Sequence, residues 1–266
     1  MLEPSDPDVL LRRVRDLLLL TVFALVAFLF SGQHTTTTYS KTTSFYVLIW
    51  LALVVQFILA WRYEWVEWRR WRAALACLAL LLLWCAISSF FVASIPRSFR
   101  ELFRWIALVT LVVVSIGAGR SAWFRARFLW FATVFPLIIA VYACVQAFGW
   151  DFFQWPEFEW GGTFRRVVGT LGNPDFLAGF LVGTIPLGIG YILISDKRWE
   201  KLLGGVSVVL QFVAVVLTLS RGVWIGFVLA GLALLFVLPN PGQSIKRAFS
   251  RLARPKIAGT SLLVLI

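Results

Sequence analysis

Cysteine is scarce in this sequence, and the three copies it has show no pattern. Cys77, Cys85 and Cys144 all lie inside apolar runs, without metal-ligand or disulfide spacing, so they read as small hydrophobic side chains. Charge is scarce as well. Charged residues make up 14% of the 266 positions and hydrophobic residues 60%, whereas soluble domains are about 45–50% apolar. The alternation of polar and apolar residues that marks a membrane β-barrel is missing. No cleavable leader is evident either. The first apolar run has no small-x-small site and continues into SGQHTTTTYS, so it reads as a retained helix. No internal repeat is evident.

What is present is a series of apolar runs, each near the length that crosses roughly 30 Å of hydrocarbon as a helix. They fall at Leu11–Phe30, Phe45–Trp61, Ala73–Ala93, Trp105–Gly119, Phe128–Phe148, Phe176–Ile194, Leu202–Leu219 and Gly222–Leu238. A ninth begins near Ile257 and is cut off at Ile266. The expected fold is all-α, a polytopic transmembrane helix bundle of about eight complete spans and a truncated ninth. We read residues 1–266 as a single transmembrane domain. Because the sequence stops in mid-helix, where carbonyls inside hydrocarbon would lack partners, we expect a fragment of a longer protein.

The net charge of +12 raises nucleic acid as a partner. The charge is spread over short loops between spans, so the lipid bilayer is the better partner and no nucleic acid is expected. With the N-terminus cytoplasmic, most Lys and Arg fall inside: Arg12, Arg13 and Arg15, Arg62 to Arg72, Arg120 to Arg127, Lys197 to Lys201, and Lys246 to Lys256. Lys41, Arg97, Arg100, Arg104, Arg165, Arg166 and Arg221 fall outside, a distribution that follows the positive-inside rule. The segment IPRSFRELFR has amphipathic spacing and is expected to lie flat on the outer surface.

Two charged islands then share the outer face. The first ends the outer loop 149–175, whose Trp150, Trp155 and Trp160 suit an interface. Its GNPD stretch predicts a helix start, with Asn173 as cap, Pro174 as first residue and Asp175 at the positive end of the dipole. The second is Arg221, the only charge between Leu202 and Leu238. That run suffices for two spans, with Ser220-Arg221-Gly222 as the turn and 219–222 as an outer turn. An arginine there either snorkels to the interface or serves a cavity or an anion. Two guanidinium forks beside a helix N-terminus and glycine-rich backbone suit a phosphate group, and at this depth a lipid-linked one.

The spacing R-x-x-G-x-x-G-N-P at Arg166, Gly169, Gly172, Asn173 and Pro174, followed by T-x-S-R-G at Thr218, Ser220, Arg221 and Gly222, resembles the O-antigen ligase and polymerase family. The resemblance implies a metal-independent glycosyltransferase of the bacterial inner membrane, needing no cofactor and acting in cell-surface polysaccharide biosynthesis. It would move a glycan from an undecaprenyl pyrophosphate donor to a glycan or lipid acceptor on the outer face. Arg166 and Arg221 would stabilise the leaving group. Arg165, Arg166, Gly169, Gly172, Asn173, Ser220 and Arg221 would line the pyrophosphate site. Asp175 stands where the family often has Asn. The family's proposed base is a histidine in a large outer loop further along. The single histidine here, His34, matches no family motif and reads as a solvated loop residue. Asp151, Glu157 and Glu159 could act as bases in principle. Rival readings are a transporter or flippase of lipid-linked glycans, for which the mid-span polar residues Gln56, Gln146 and Gln211 are modest equipment, and a non-catalytic assembly protein.

Overall fold

The computed structural model describes residues 7–28, 34–62, 68–91, 95–151 and 166–237, and every regular element among them is helical. In chain order these are α1 (Pro7–Phe28), α2 (His34–Arg62), α3 (Trp68–Ser88), α4 (Ile95–Ala118), α5 (Ala122–Ala147), α6 (Pro174–Ile194), α7 (Arg198–Leu217) and α8 (Arg221–Val237). A 3-10 turn, Gly169–Leu171, precedes α6. The all-α expectation holds for the described residues. Six helices, α2 to α7, are long and apolar enough to cross a membrane, which makes this a helical membrane protein. The other two fall short for local reasons. In α1 the charges Arg12, Arg13, Arg15 and Asp16 occupy the first half, and α8 is described over 17 residues. The ninth run lies outside the described residues, as do Arg165, Glu157 and Glu159.

Three local expectations need correction. The Thr-rich segment after α1 is not a loop: α2 begins at His34 and runs through it. IPRSFRELFR is not a separate surface helix but the first turns of α4, continuous with the apolar part. The α7–α8 turn lies one to two residues earlier than Ser220-Arg221-Gly222, because Arg221 already opens α8. In each case hydropathy marks where hydrocarbon would begin, whereas the backbone hydrogen-bond ladder continues into polar sequence.

The contacts divide the chain into two compact units, residues 1–128 and 129–266. In the first, α1 packs along α2, and α2 along α4. Ala27, Ile49, Ala52, Ala107 and Val114 are fully buried. Phe103 of α4 meets Tyr46 edge-on at 4.9 Å and Trp50 at 5.7 Å. None of the apolar span of α3 is buried within the protein, so that helix offers its surface to lipid. Arg15 is buried, unlike a solvated loop arginine. It donates to Asp16 Oδ1 through Nε (3.0 Å) and Nη2 (2.7 Å), and to Gln56 Oε1 through Nη1 (2.9 Å). Gly117 makes this approach possible, since a Cβ there would lie 2.5 Å from Gln56 Oε1.

In the second unit α6 and α7 form a close antiparallel hairpin, and the rest of α5 joins them through a buried polar chain. The Thr184 hydroxyl donates to Gln211 Oε1 (2.8 Å), Gln211 Nε2 to Ser207 Oγ (2.8 Å), and Ser207 Oγ to the Thr133 carbonyl (2.6 Å). Pro136 lies within α5 and lacks the N–H that would bond the carbonyl four residues earlier. The helix is therefore loosened next to the carbonyl that Ser207 reaches. Such interhelical hydrogen bonds in apolar surroundings fix register at about 0.6–2 kcal/mol each.

Candidate functional site

The site is assembled where α6 starts and α7 ends. Asn173 adopts extended backbone (φ −146°, ψ 130°), and its side-chain oxygen accepts from the N–H groups of Asp175 (2.8 Å) and Phe176 (3.4 Å). Pro174 is the first helical residue, so the cap follows the sequence reading. The motif glycines have a backbone role. Gly169 (φ +55°) and Gly172 (φ +72°) both occupy the left-handed region that side chains disfavour. A Cβ on Gly169 would also come within 3.1 Å of Leu177 Cδ1. The glycines therefore shape the turn that leads into the helix.

Across from it, α7 ends in a tight turn through Thr218, Leu219 and Ser220. Thr218 is fully buried. Its hydroxyl donates to the Val215 carbonyl (2.6 Å) and accepts from the Ser220 N–H (3.3 Å). Leu219 takes φ +53°, an uncommon conformation for a non-glycine residue, held by the bonds on either side. Trp224 Nε1 donates to the Val215 carbonyl (3.1 Å) and ties α8 to α7.

The two motifs meet through three side chains. Arg166 Nε donates to the Thr218 carbonyl (2.9 Å), one of the carbonyls left open by the end of α7. Arg166 Nη2 donates to Asp175 Oδ1 (3.1 Å), and the Ser220 hydroxyl donates to that same oxygen (2.6 Å). Asp175 thus joins the start of α6 to the turn before α8. The Arg166–Asp175 pair is 41% and 62% exposed, so solvent reaches it. Arg221 stands one residue beyond Ser220, exposed, at the first position of α8. Among the described residues it makes no hydrogen bond or ion pair. Of the residues assigned to the site from sequence, Arg166, Gly169, Gly172, Asn173, Ser220 and Arg221 fall on these adjoining turns.

Sequence reasoning missed two members. Gln146, near the end of α5 and fully buried, accepts from the N–H groups of Val168 (2.8 Å) and Gly169 (3.0 Å) through Oε1. Its Nε2 donates to Asp151 Oδ2 (2.7 Å), and the Tyr142 hydroxyl donates to Asp151 Oδ1 (2.6 Å). One glutamine therefore clamps both the entry and the exit of segment 152–165, and fixes the backbone just after Arg166. The second missed member is Asp175, legible as a helix-start residue but not as the link between the motifs. An isolated amide in an apolar run was the available signal for Gln146, because such a group needs partners at membrane depth. Among the described residues no cluster of His, Cys, Asp or Glu could hold a metal ion.

Comparison with protein-family models, with curated proteins and with solved structures finds no match to this chain.

Proposed function

We propose that this protein transfers a glycan from undecaprenyl pyrophosphate to a glycan or lipid acceptor at the outer face of a bacterial inner membrane, in the manner of O-antigen ligases and polymerases. In this reading α1 to α8 all span the membrane, the N-terminus is cytoplasmic, and the turns at 166–175 and 218–221 face outward. The observation that carries it is the joining of the two motifs that resemble that family. Arg166, Asp175 and Ser220 hold them together, and the exposed Arg221 lies beside the N-terminal ends of α6 and α8.

That arrangement suits a pyrophosphate. A guanidinium fork matches phosphate oxygens, and helix N-terminal amides favour negative charge. In the transfer, the acceptor hydroxyl oxygen attacks the anomeric carbon and the glycosidic C–O bond to pyrophosphate breaks. The pyrophosphate departs with the electron pair, and the acceptor proton passes to a base. Arg221 stabilises the charge developing on the leaving group, and Arg166 contributes from its post on the Thr218 carbonyl. Asp151, held by two donors, is a fixed loop anchor first and a base candidate second.

The test is transfer in cells whose surface glycan depends on this protein. Arg221→Ala should lower transfer roughly a hundredfold at unchanged protein level, the scale of losing one preorganised charge-stabilising donor. Arg221→Lys should recover only part, because a point charge lacks the fork. Transfer unaffected by Arg221→Ala would remove the basis of the proposal.

A further inference from the structure

At one end of α5 in the first unit, arginines gather around one tryptophan, and among the described residues none of them forms an ion pair. The turn 119–121 joins α4 and α5, both apolar enough to span, so it lies at a membrane–water boundary. Trp123, in the first turn of α5, carries two cations. The guanidinium carbons of Arg13 and Arg127 each lie 4.0 Å from its ring centroid. Two positive charges are thus held within about twice that distance of one another, with the indole as their shared partner.

The surroundings make this a firm platform. Phe124 stacks on Phe128 at 5.7 Å, and Phe128 meets Phe23 of α1 edge-on at 5.5 Å. The Ser121 hydroxyl accepts from the Phe124 N–H (3.2 Å). Arg125 Nη1 donates to the carbonyls of Gly119 (2.7 Å) and Arg120 (3.0 Å), closing the end of α4. Arg120, Arg125 and Arg127 are exposed. Among the described residues, none of Arg13, Arg120, Arg125 and Arg127 forms an ion pair. The neighbouring acid of α1, Asp16, is ion-paired with Arg15, bonds Ser121 and acts on Arg13 from a distance, so it offsets the cluster only in part. Arg13 Nη1 is buried without a hydrogen-bond partner among the described residues, and a charged donor left this way is costly.

We propose that this arginine–tryptophan cluster binds the headgroup of an anionic phospholipid. The headgroup phosphate supplies oxygen acceptors and negative charge to the exposed Arg120, Arg125 and Arg127, which have no ion-pair partner among the described residues. Basic sites between membrane helices are suited to such headgroups, and each arginine near an anionic surface adds attraction. The site is separate from the proposed transfer chemistry and stands or falls without it.

The test uses the full chain in detergent, titrated with short-chain phosphatidylglycerol or phosphatidylcholine and read by native mass spectrometry. Phosphatidylglycerol should bind at least about tenfold more tightly, and Arg120→Ala with Arg127→Ala should erase most of that preference. Arg100→Ala with Arg104→Ala, at the opposite end of α4, should keep it. Arg120→Gln alone, a change on an exposed turn, provides the reading if the double variant loses its helical circular dichroism; it should lower the preference several-fold. Equal binding of the two lipids by the unmodified protein would overturn the site. So would equal losses from both pairs of substitutions, or an unchanged preference in Arg120→Gln.

Discussion

Asp175 stands where the O-antigen ligase pattern that the two motifs resemble often has Asn, and its contacts give that difference a consequence. Its Oδ1 accepts from both Arg166 and Ser220, so a carboxylate occupies the face of Arg166 that the proposal assigns to phosphate. An ion pair this exposed stabilises by about 0–1 kcal/mol, so an incoming pyrophosphate can displace it, yet it opposes binding and assists release of the product. Asn at this position keeps an oxygen for both donors and removes only the charge. Asp175→Asn should therefore bind inorganic pyrophosphate roughly fivefold more tightly by calorimetry, within the range of one screened charge. The gain should shrink in an Arg166→Ala background. Weaker binding by Asp175→Asn would mean that the carboxylate organises the site rather than competing in it. The cap itself was readable from GNPD, because Asn173, Pro174 and the first turn are neighbours in sequence. The link from Asp175 to Ser220 was not, because it joins residues 45 positions apart, and nothing in either stretch names the other.

At the scale of helices, the α6–α7 hairpin depends on how closely two backbones approach. A Cβ on Gly204 would sit 2.5 Å from Ile192 Cγ1 and 3.5 Å from Tyr191 Cδ1, whereas a Cβ on the adjacent Gly205 would meet nothing within 4 Å. Ile192 is β-branched and stiff at χ1, so it yields poorly. Gly204→Ala should lower the thermal midpoint in detergent, by the equivalent of about 1–3 kcal/mol of overpacking. Gly205→Ala should be neutral or raise it, since alanine is the better helix former by about 1 kcal/mol. A larger loss from Gly205→Ala would contradict this packing. Apolar run length made the helices legible from sequence, since hydrocarbon thickness sets that length. The ends were less so. His34 and Ile95 begin helices in polar sequence that hydropathy assigned elsewhere. The three glutamines that looked modest from sequence are junctions. Gln56 receives Arg15, Gln146 clamps the loop, and Gln211 bridges Thr184 and Ser207. Their number and spacing were visible, but their partners lie on other helices.

At the scale of the whole molecule, the account rests on one claim: the turns at 166–175 and 218–221 form a pyrophosphate site on the outer face. Helix count alone leaves two orientations, and the proposal takes the one with the N-terminus inside because it puts most Lys and Arg on that side. Gly222 permits a direct test of face and ligand together. It is exposed, follows Arg221, and has open space where a Cβ would go. In a background with Cys77, Cys85 and Cys144 replaced by alanine, Gly222→Cys is exposed in intact cells to a membrane-impermeant maleimide, with and without pyrophosphate. The account predicts labelling without permeabilisation, slowed roughly tenfold when pyrophosphate is present at about ten times its dissociation constant. Labelling only after the membrane is opened, or at a rate indifferent to pyrophosphate, would contradict it.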